Sequence, residues 1–353
     1  MTLRWQDWPQ EVLETLRAGA VIPAHPLALD SARRFDVRRQ RALTRYYIDA
    51  GSGGLAVGVH TTQFAIRDVG LYEPVLRTAM ETARGWTRRK LVMIGGVAGR
   101  TAQAVAEARI ARELGYHAVL TSLAAFKGAS DDEMIAHCRA IAAEMPLVGF
   151  YLQPAVGGRV LTAKFWRRFA EIENVVAIKM APFNRYKTLD VLRGVAMAGA
   201  QDRISLYTGN DDHIVLDLLT PFAVDQGERG VTLRIVGGLL GHWSVWTKSA
   251  VELLERIKAV RGGGSVPEDL LALDSQVTDC NAAIFDVAND FHGVIAGCHE
   301  ILRRQGLLEG IWCLDPGESL GPGQAAEIDR VCRRYPHLSD DGFVKANLAR
   351  WLA

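Results

Sequence analysis

The sequence predicts a (β/α)₈ barrel followed by a helical C-terminal extension, and three observations carry that prediction. Eight short apolar runs recur along the first two-thirds of the chain. Stretches with helical spacing separate them, and strands buried on both faces, each followed by a helix, build a parallel sheet. No G-x-G-x-x-G opens the first helix, which weakens the dinucleotide-binding form of the rival doubly wound sheet. Eight strand–helix units in about 240 residues fit closure into a barrel.

The runs, in order, are GAVIPA (19–24), GLAVGV (54–59), KLVMIGGV (90–97), HAVLTSL (117–123), PLVGFY (146–151), NVVAIKM (174–180) and RISLYTG (203–209), with the eighth inside RIVGGLLGHWSVW (234–246). TAQAVAEARIARELG (101–115) spaces Ala, Val, Ile and Leu by three and four residues, with Thr101 as the expected N-cap and Gly115 as the stop. SDDEMIAHCRAIAAEM (130–145) opens on Ser and acidic residues, which suit a helix N-terminus, and LTAKFWRRFAEIE (161–173) has Thr162 as its cap. Residues 221–234 read as an insertion before the eighth strand. RGGGS (261–265) marks a hinge, so residues 1–264 are expected to form the barrel and 265–353 the helical extension, interrupted at GPGQ (321–324).

The composition excludes several function classes. Hydrophobic residues make up 49% of the 353 and charged residues 23%, a globular balance. Lys plus Arg (41) nearly cancels Asp plus Glu (40), which argues against a nucleic-acid or anionic-membrane partner. The five cysteines form no CxxC pair, as expected of reduced thiols in the cytoplasm. No apolar h-region and no apolar run of about 20 residues is present, so neither secretion nor a membrane partner is expected.

The stretch ENVVAIKMAP (173–182) puts a lysine at the end of a strand that otherwise reads as buried. A buried ammonium is costly unless it is paired or discharged. Lys179 is therefore either a solvated strand-end lysine or an amine kept inside for chemistry. Strand C-termini face the reaction mouth of such a barrel. A desolvated amine there has a lowered pKa and adds to carbonyls, giving a Schiff base. Tyr151 ends the preceding run, where a phenol beside Lys179 would move protons; the alternative is an ordinary strand-end aromatic.

These residues also carry a resemblance. GVHTTQ (58–63), FYLQP (150–154), IKMA (178–181), TGNDD (208–212) and GGLLGHWSV (237–245), in that order over about 19–262, resemble the dihydrodipicolinate synthase/N-acetylneuraminate lyase family of barrel-shaped class I aldolases. The resemblance implies a lyase, aldolase or dehydratase acting on a 2-oxo acid such as pyruvate. It makes Lys179 the Schiff-base lysine and Tyr151 the catalytic tyrosine. The 2-oxo acid carboxylate falls to Thr61 and Thr62, with His60 able to take one of those places, and Gly209, Asn210 and Asp211 line the same pocket. It implies no cofactor beyond the covalent bond at Lys179, no metal, and a homo-oligomer, dimer or tetramer.

Four departures separate the chain from the family's lysine-pathway synthase. LAAFKGAS (123–130) lacks the tyrosine expected there, Val156 stands where an arginine would grip the second substrate, the loop glutamate appears as Gln63 or Phe64, and the extension and insertion are long. Arg159 is the nearest substitute for the missing cation. A second reading is therefore a non-catalytic or regulatory 2-oxo-acid-binding barrel; a third takes Asp211, Asp212 and His213 as metal ligands, although helix capping explains them as well.

Overall fold

The structure is a computed structural model, and it describes residues 2–154, 157–227 and 229–353. Val156 lies outside the described residues. In chain order the elements are α1 (Gln10–Ala18), β1 (Val21–Pro23), α2 (Val37–Ala50), β2 (Gly54–Val57), α3 (Tyr72–Trp86), β3 (Val92–Val97), α4 (Thr101–Leu114), β4 (Ala118–Thr121), α5 (Asp131–Ala142), β5 (Leu147–Leu152), α6 (Ala163–Ala170), β6 (Val175–Ala181), α7 (Arg185–Met197), β7 (Ser205–Thr208), α8 (Ile214–Leu219), β8 (Pro221–Gln226), β9 (Arg229–Leu240), α9 (Thr247–Val260), α10 (Glu268–Ile284), α11 (Val294–Arg304), α12 (Gln324–Arg334) and α13 (Asp341–Leu352).

Eight parallel strands run in the order β1-β9-β7-β6-β5-β4-β3-β2. The circle closes where Ala24 bridges Ala56 and the His25 amide donates to the Ala56 carbonyl at 2.8 Å. This is the predicted (β/α)₈ barrel. Residues 221–234 are part of a β-hairpin: β8 pairs antiparallel with the first half of β9, and β9 runs on as the eighth barrel strand, ending at Leu240. A short 3₁₀ turn at His242–Ser244 follows it.

Strand alternation divides the core in two. Ile22, Ala56, Ile94, Leu120, Phe150, Ala177 and Tyr207 fill the barrel, and Val12 and Leu16 from α1, with Trp8 just before it, pack with them. Their neighbours along each strand, such as Leu55, Val119, Tyr151, Ile178 and Met180, face the helices. Local signals hold at several helix ends. Ser130 caps α5 in a reciprocal capping box with Glu133, the Thr162 hydroxyl caps α6, and Gly115 ends α4 in the left-handed conformation at φ 89°. At the other end of α4 Arg100 occupies the N-cap, and the Thr101 hydroxyl instead meets His137 Nδ1 at 3.0 Å.

The extension folds back on the barrel rather than standing apart. The Tyr46 hydroxyl of α2 donates to Asp340 at 2.7 Å, and the indole of Trp351 in α13 donates to Asp49 at 2.6 Å. One continuous buried cluster includes Tyr46 and Trp166 of the barrel and Ile284, Leu302 and Trp351 of the extension. Among the described residues no helix is long and apolar enough to cross a membrane.

Candidate active site

A pocket of about 660 Å³, its open mouth included, lies at the C-terminal ends of the barrel strands. Lys179 lines it from β6, flanked by Phe150 of β5 and Tyr207 of β7 in register on the same face of the sheet. Its ammonium nitrogen sits 4.4 Å from the centroid of the Phe150 ring, and the residue is 8% exposed. Gly209 makes room for it: a methyl group there would come within 2.6 Å of Lys179 Cε. Burial lowers the Lys179 pKa, and the charge of Asp211 opposes that shift.

Asp211 lines the same pocket, 5% exposed, with Oδ1 buried and without a hydrogen-bond partner. Burial raises its pKa, while Lys179 and the His242 backbone amide favour the carboxylate. Desolvation therefore pushes the two groups toward each other on the pH scale. His60 also lines the pocket and is held neutral, its pKa lowered to about 4 first by burial and then by Lys179. Thr61 is there too, from the turn His60–Thr62.

Three of the expected site residues are elsewhere. Thr62 and Asn210 are fully buried and outside the pocket lining. The Thr62 hydroxyl donates to the His25 carbonyl at 2.6 Å and accepts from the Gly58 amide at 3.0 Å, so it fixes the loop after β2. The Asn210 side chain accepts from the Phe183 amide at 3.1 Å and donates to Thr188 and Asp217. Tyr151 faces the helices: its ring packs on Trp166, and its hydroxyl donates to the Leu161 carbonyl at 3.2 Å and accepts from the Leu161 amide at 3.1 Å. The phenol is thus on the sheet face opposite Lys179, because Phe150, and not Tyr151, is in register with Lys179.

Arg159 does not replace the missing cation. It donates to the carbonyls of Phe126 and Ala129 at 2.9 and 2.8 Å and does not line the pocket. Asp212 and His213 lie outside the lining as well, and His213 pairs with Asp274 at 3.5 Å. Among the described residues no group of three or more His, Cys, Asp or Glu is arranged to hold a metal.

Sequence reasoning missed the roof. Phe285, Phe291, Val294, Ile295 and Cys298 of the extension close the pocket, with Phe183 from the loop after β6. Phe183 and Phe291 meet edge to face at 5.8 Å, and both hold positive φ, 48° and 67°. Such backbone costs about 1 kcal/mol or more for a non-glycine residue and gathers at functional sites. Gln63 shares that strain at φ 69° and accepts from the Leu314 amide at 2.6 Å, tying the loop after β2 to the extension. The aromatic spacing in FDVANDF (285–291) was a signal, but one that only the folded-back extension makes readable.

Because Tyr151 makes both bonds to Leu161, Tyr151→Phe is expected to lower stability by about 1–3 kcal/mol, the cost of stranding buried backbone groups, while lysine-adduct formation survives. Thermal melting and borohydride trapping on the same sample check this. A stable variant that no longer forms the adduct would restore the phenol to the chemistry.

Comparison with known proteins agrees with the barrel fold. An N-acetylneuraminate lyase 2 of Escherichia coli O6:H1 is 25% identical over 300 residues, 84% of this chain and 87% of that one. A 4-hydroxy-tetrahydrodipicolinate synthase of Desulforudis audaxviator is 28% identical over 225 residues, 64% of this chain and 73% of that one. A crystal structure of dihydrodipicolinate synthase from Oceanobacillus iheyensis superposes with a TM-score of 0.73 at 15% identity, covering 92% of this chain and 99% of that one. A prophage protein of E. coli K12, solved in complex with pyruvate, gives 0.73 at 16% identity, covering 90% and 98%. Likenesses at that identity speak for the fold alone. The family model described as the dihydrodipicolinate synthetase family, however, matches residues 18–242, more than half of the chain, and on that match the protein belongs to this family.

Proposed function

We propose that this protein is a class I lyase of the aldolase or dehydratase type that binds a 2-oxo acid covalently at Lys179. The observation that carries the reading is a buried lysine and a buried, half-unpartnered carboxylate lining one barrel pocket. Relatives named as N-acetylneuraminate lyase and 4-hydroxy-tetrahydrodipicolinate synthase support the substrate class.

In this reading the proton of the Lys179 ammonium passes to Asp211. The freed amine attacks the ketone carbon, and the ketone oxygen leaves as water with protons relayed by Asp211. The resulting iminium draws electrons from the adjacent carbon, whose proton goes to the Asp211 carboxylate, leaving an enamine. The Thr61 hydroxyl holds the substrate carboxylate, with His60 as a neutral wall. Asp211 thus takes the proton-moving part expected of Tyr151. The five cysteines are all unpaired, which supports a reducing, cytoplasmic setting.

Borohydride reduction in the presence of pyruvate, followed by peptide mass spectrometry, tests the reading: the reduced adduct is expected on Lys179. Ligand-dependent melting with no adduct for any 2-oxo acid would make this a binding barrel instead. Asp211→Asn is expected to slow enamine formation by about 10²–10⁴-fold, the range of a general acid–base group, with pyruvate still bound. Exchange of the pyruvate methyl protons with deuterated water reads that step directly. Exchange within threefold of the parent would remove Asp211 from the mechanism.

A further inference from the structure

Away from Lys179 and Asp211 most of the side chains lining the pocket are apolar. Phe150 comes from the barrel, Phe183 from the loop after β6, and Phe285, Phe291, Val294 and Ile295 from the extension. Cys298 adds a thiol that burial keeps protonated and that points to the Gly241 carbonyl at 3.8 Å. No arginine is among the described lining residues, and Arg159 is engaged with backbone carbonyls. His60 is neutral. The remaining uncharged hydrogen-bonding side chains are Thr61 and Gln153.

Resting on the Schiff-base reading, we infer that the second reactant, the carbonyl compound that joins or leaves the enamine, is an aldehyde bearing an uncharged, ring-sized apolar substituent, and that the roof formed by Phe285 to Ile295 selects it. A carboxylated aldehyde would bring a second anion into a pocket whose one lining lysine, among the described residues, is by then an uncharged enamine nitrogen, and an unpaired buried charge is strongly disfavoured. A polyhydroxylated aldehyde would strand its hydroxyls against phenylalanine and isoleucine. An aromatic ring finds the edges of Phe183 and Phe291, already packed edge to face.

The step balances without a further reagent. The enamine carbon of the bound pyruvate forms a bond to the aldehyde carbon. The carbonyl π pair moves to oxygen, which takes the proton held by Asp211. Water then hydrolyses the iminium, restoring the Lys179 amine and releasing a 4-hydroxy-2-oxo acid; cleavage is the reverse.

The test uses the full chain with pyruvate and three aldehydes, namely benzaldehyde, succinic semialdehyde and glyceraldehyde, with borohydride trapping by pyruvate alone run alongside. Benzaldehyde is expected to exceed the other two in kcat/KM by about 10²-fold, the scale on which a pocket rejects a mismatched polar group. Val294→Arg, at the half-buried start of α11, is expected to move the ratio toward succinic semialdehyde by at least tenfold. Equal, reversed or absent turnover of benzaldehyde in a protein that still traps pyruvate overturns the assignment of the second reactant and leaves the Schiff base standing. Failure to trap pyruvate overturns both.

Discussion

Replacing Lys179 by methionine is expected to abolish the borohydride adduct and to lower kcat by at least about 10⁴-fold, the scale reached when a covalent nucleophile is removed from its catalytic unit. Methionine suits the site physically. It is unbranched, close to lysine in length, and adapts to the space beside Phe150 and Gly209. It also removes the charge from a position only 8% exposed. Asp211 then loses the cation that favours its ionised form, takes up a proton, and remains buried without a net charge. The variant should therefore fold, and loss of the adduct will report chemistry rather than unfolding. Lys179→Arg is the complementary control: it keeps a cation near Asp211 but offers no nucleophilic amine at accessible pH. If K179M still gains the mass of one reduced pyruvate at the parent's rate, the nucleophile is a different lysine.

The contrast between Lys179 and Tyr151 shows where the sequence stops being readable. Lys179 was legible because one lysine interrupts a strand that is otherwise apolar, and a barrel sends strand ends to one mouth. Tyr151 is expected beside it because it ends the preceding run, and a constant offset between the two strands would align them. At the start of the pair the offset holds, with Leu147 opposite Val175. Val148 is then opposite Ala177, so one extra residue, Val176, is accommodated on β6 and the register moves by one. A slip of one residue exchanges the two faces of a strand. It brings Phe150 to Lys179 and turns Tyr151 toward Trp166. Nothing in VVAIKMA announces that bulge, because valine and alanine suit either face. Asp211, named as a pocket residue, is one, whereas Asn210 beside it is taken up by Asp217 and Thr188. The roof was illegible for a different reason. Its residues are more than a hundred positions from Lys179, and their contact with the pocket depends on how the extension folds back.

Acidification is expected to unfold this protein steeply between about pH 6.5 and pH 4, before most carboxylates titrate. His25, His137, His242 and His299 are each 5% exposed or less, and burial lowers each from 6.5 to about 4. Above pH 6.5 the folded and unfolded chains both carry these rings neutral, and their contribution to stability is intact. As pH falls below 6.5 the unfolded chain takes up protons that the folded chain refuses, so stability is lost until the folded rings titrate near pH 4. Each ring is worth up to about 3 kcal/mol over that window. Half that amount, from four rings, still approaches the about 5–15 kcal/mol that holds a domain together. Buried Asp211 and Asp340 act in the opposite sense, since their raised pKa values let the folded chain gain protons as pH falls. Asp212 and Glu318 are raised as well, but His60 and His117, both lowered to about 4 mainly by burial, join the histidine side, and Asp340 keeps hydrogen bonds from Tyr46 and Gln305 that favour its ionised form. Urea midpoints at pH 7.5, 6, 5 and 4.5 measure the balance. A midpoint constant to pH 4.5 would mean that the buried rings are protonated in the folded chain or reach water. His299→Leu separates those cases. This ring is fully buried with Nε2 lacking a partner, so removing it should flatten the acid slope by up to one proton while sparing the adduct at Lys179.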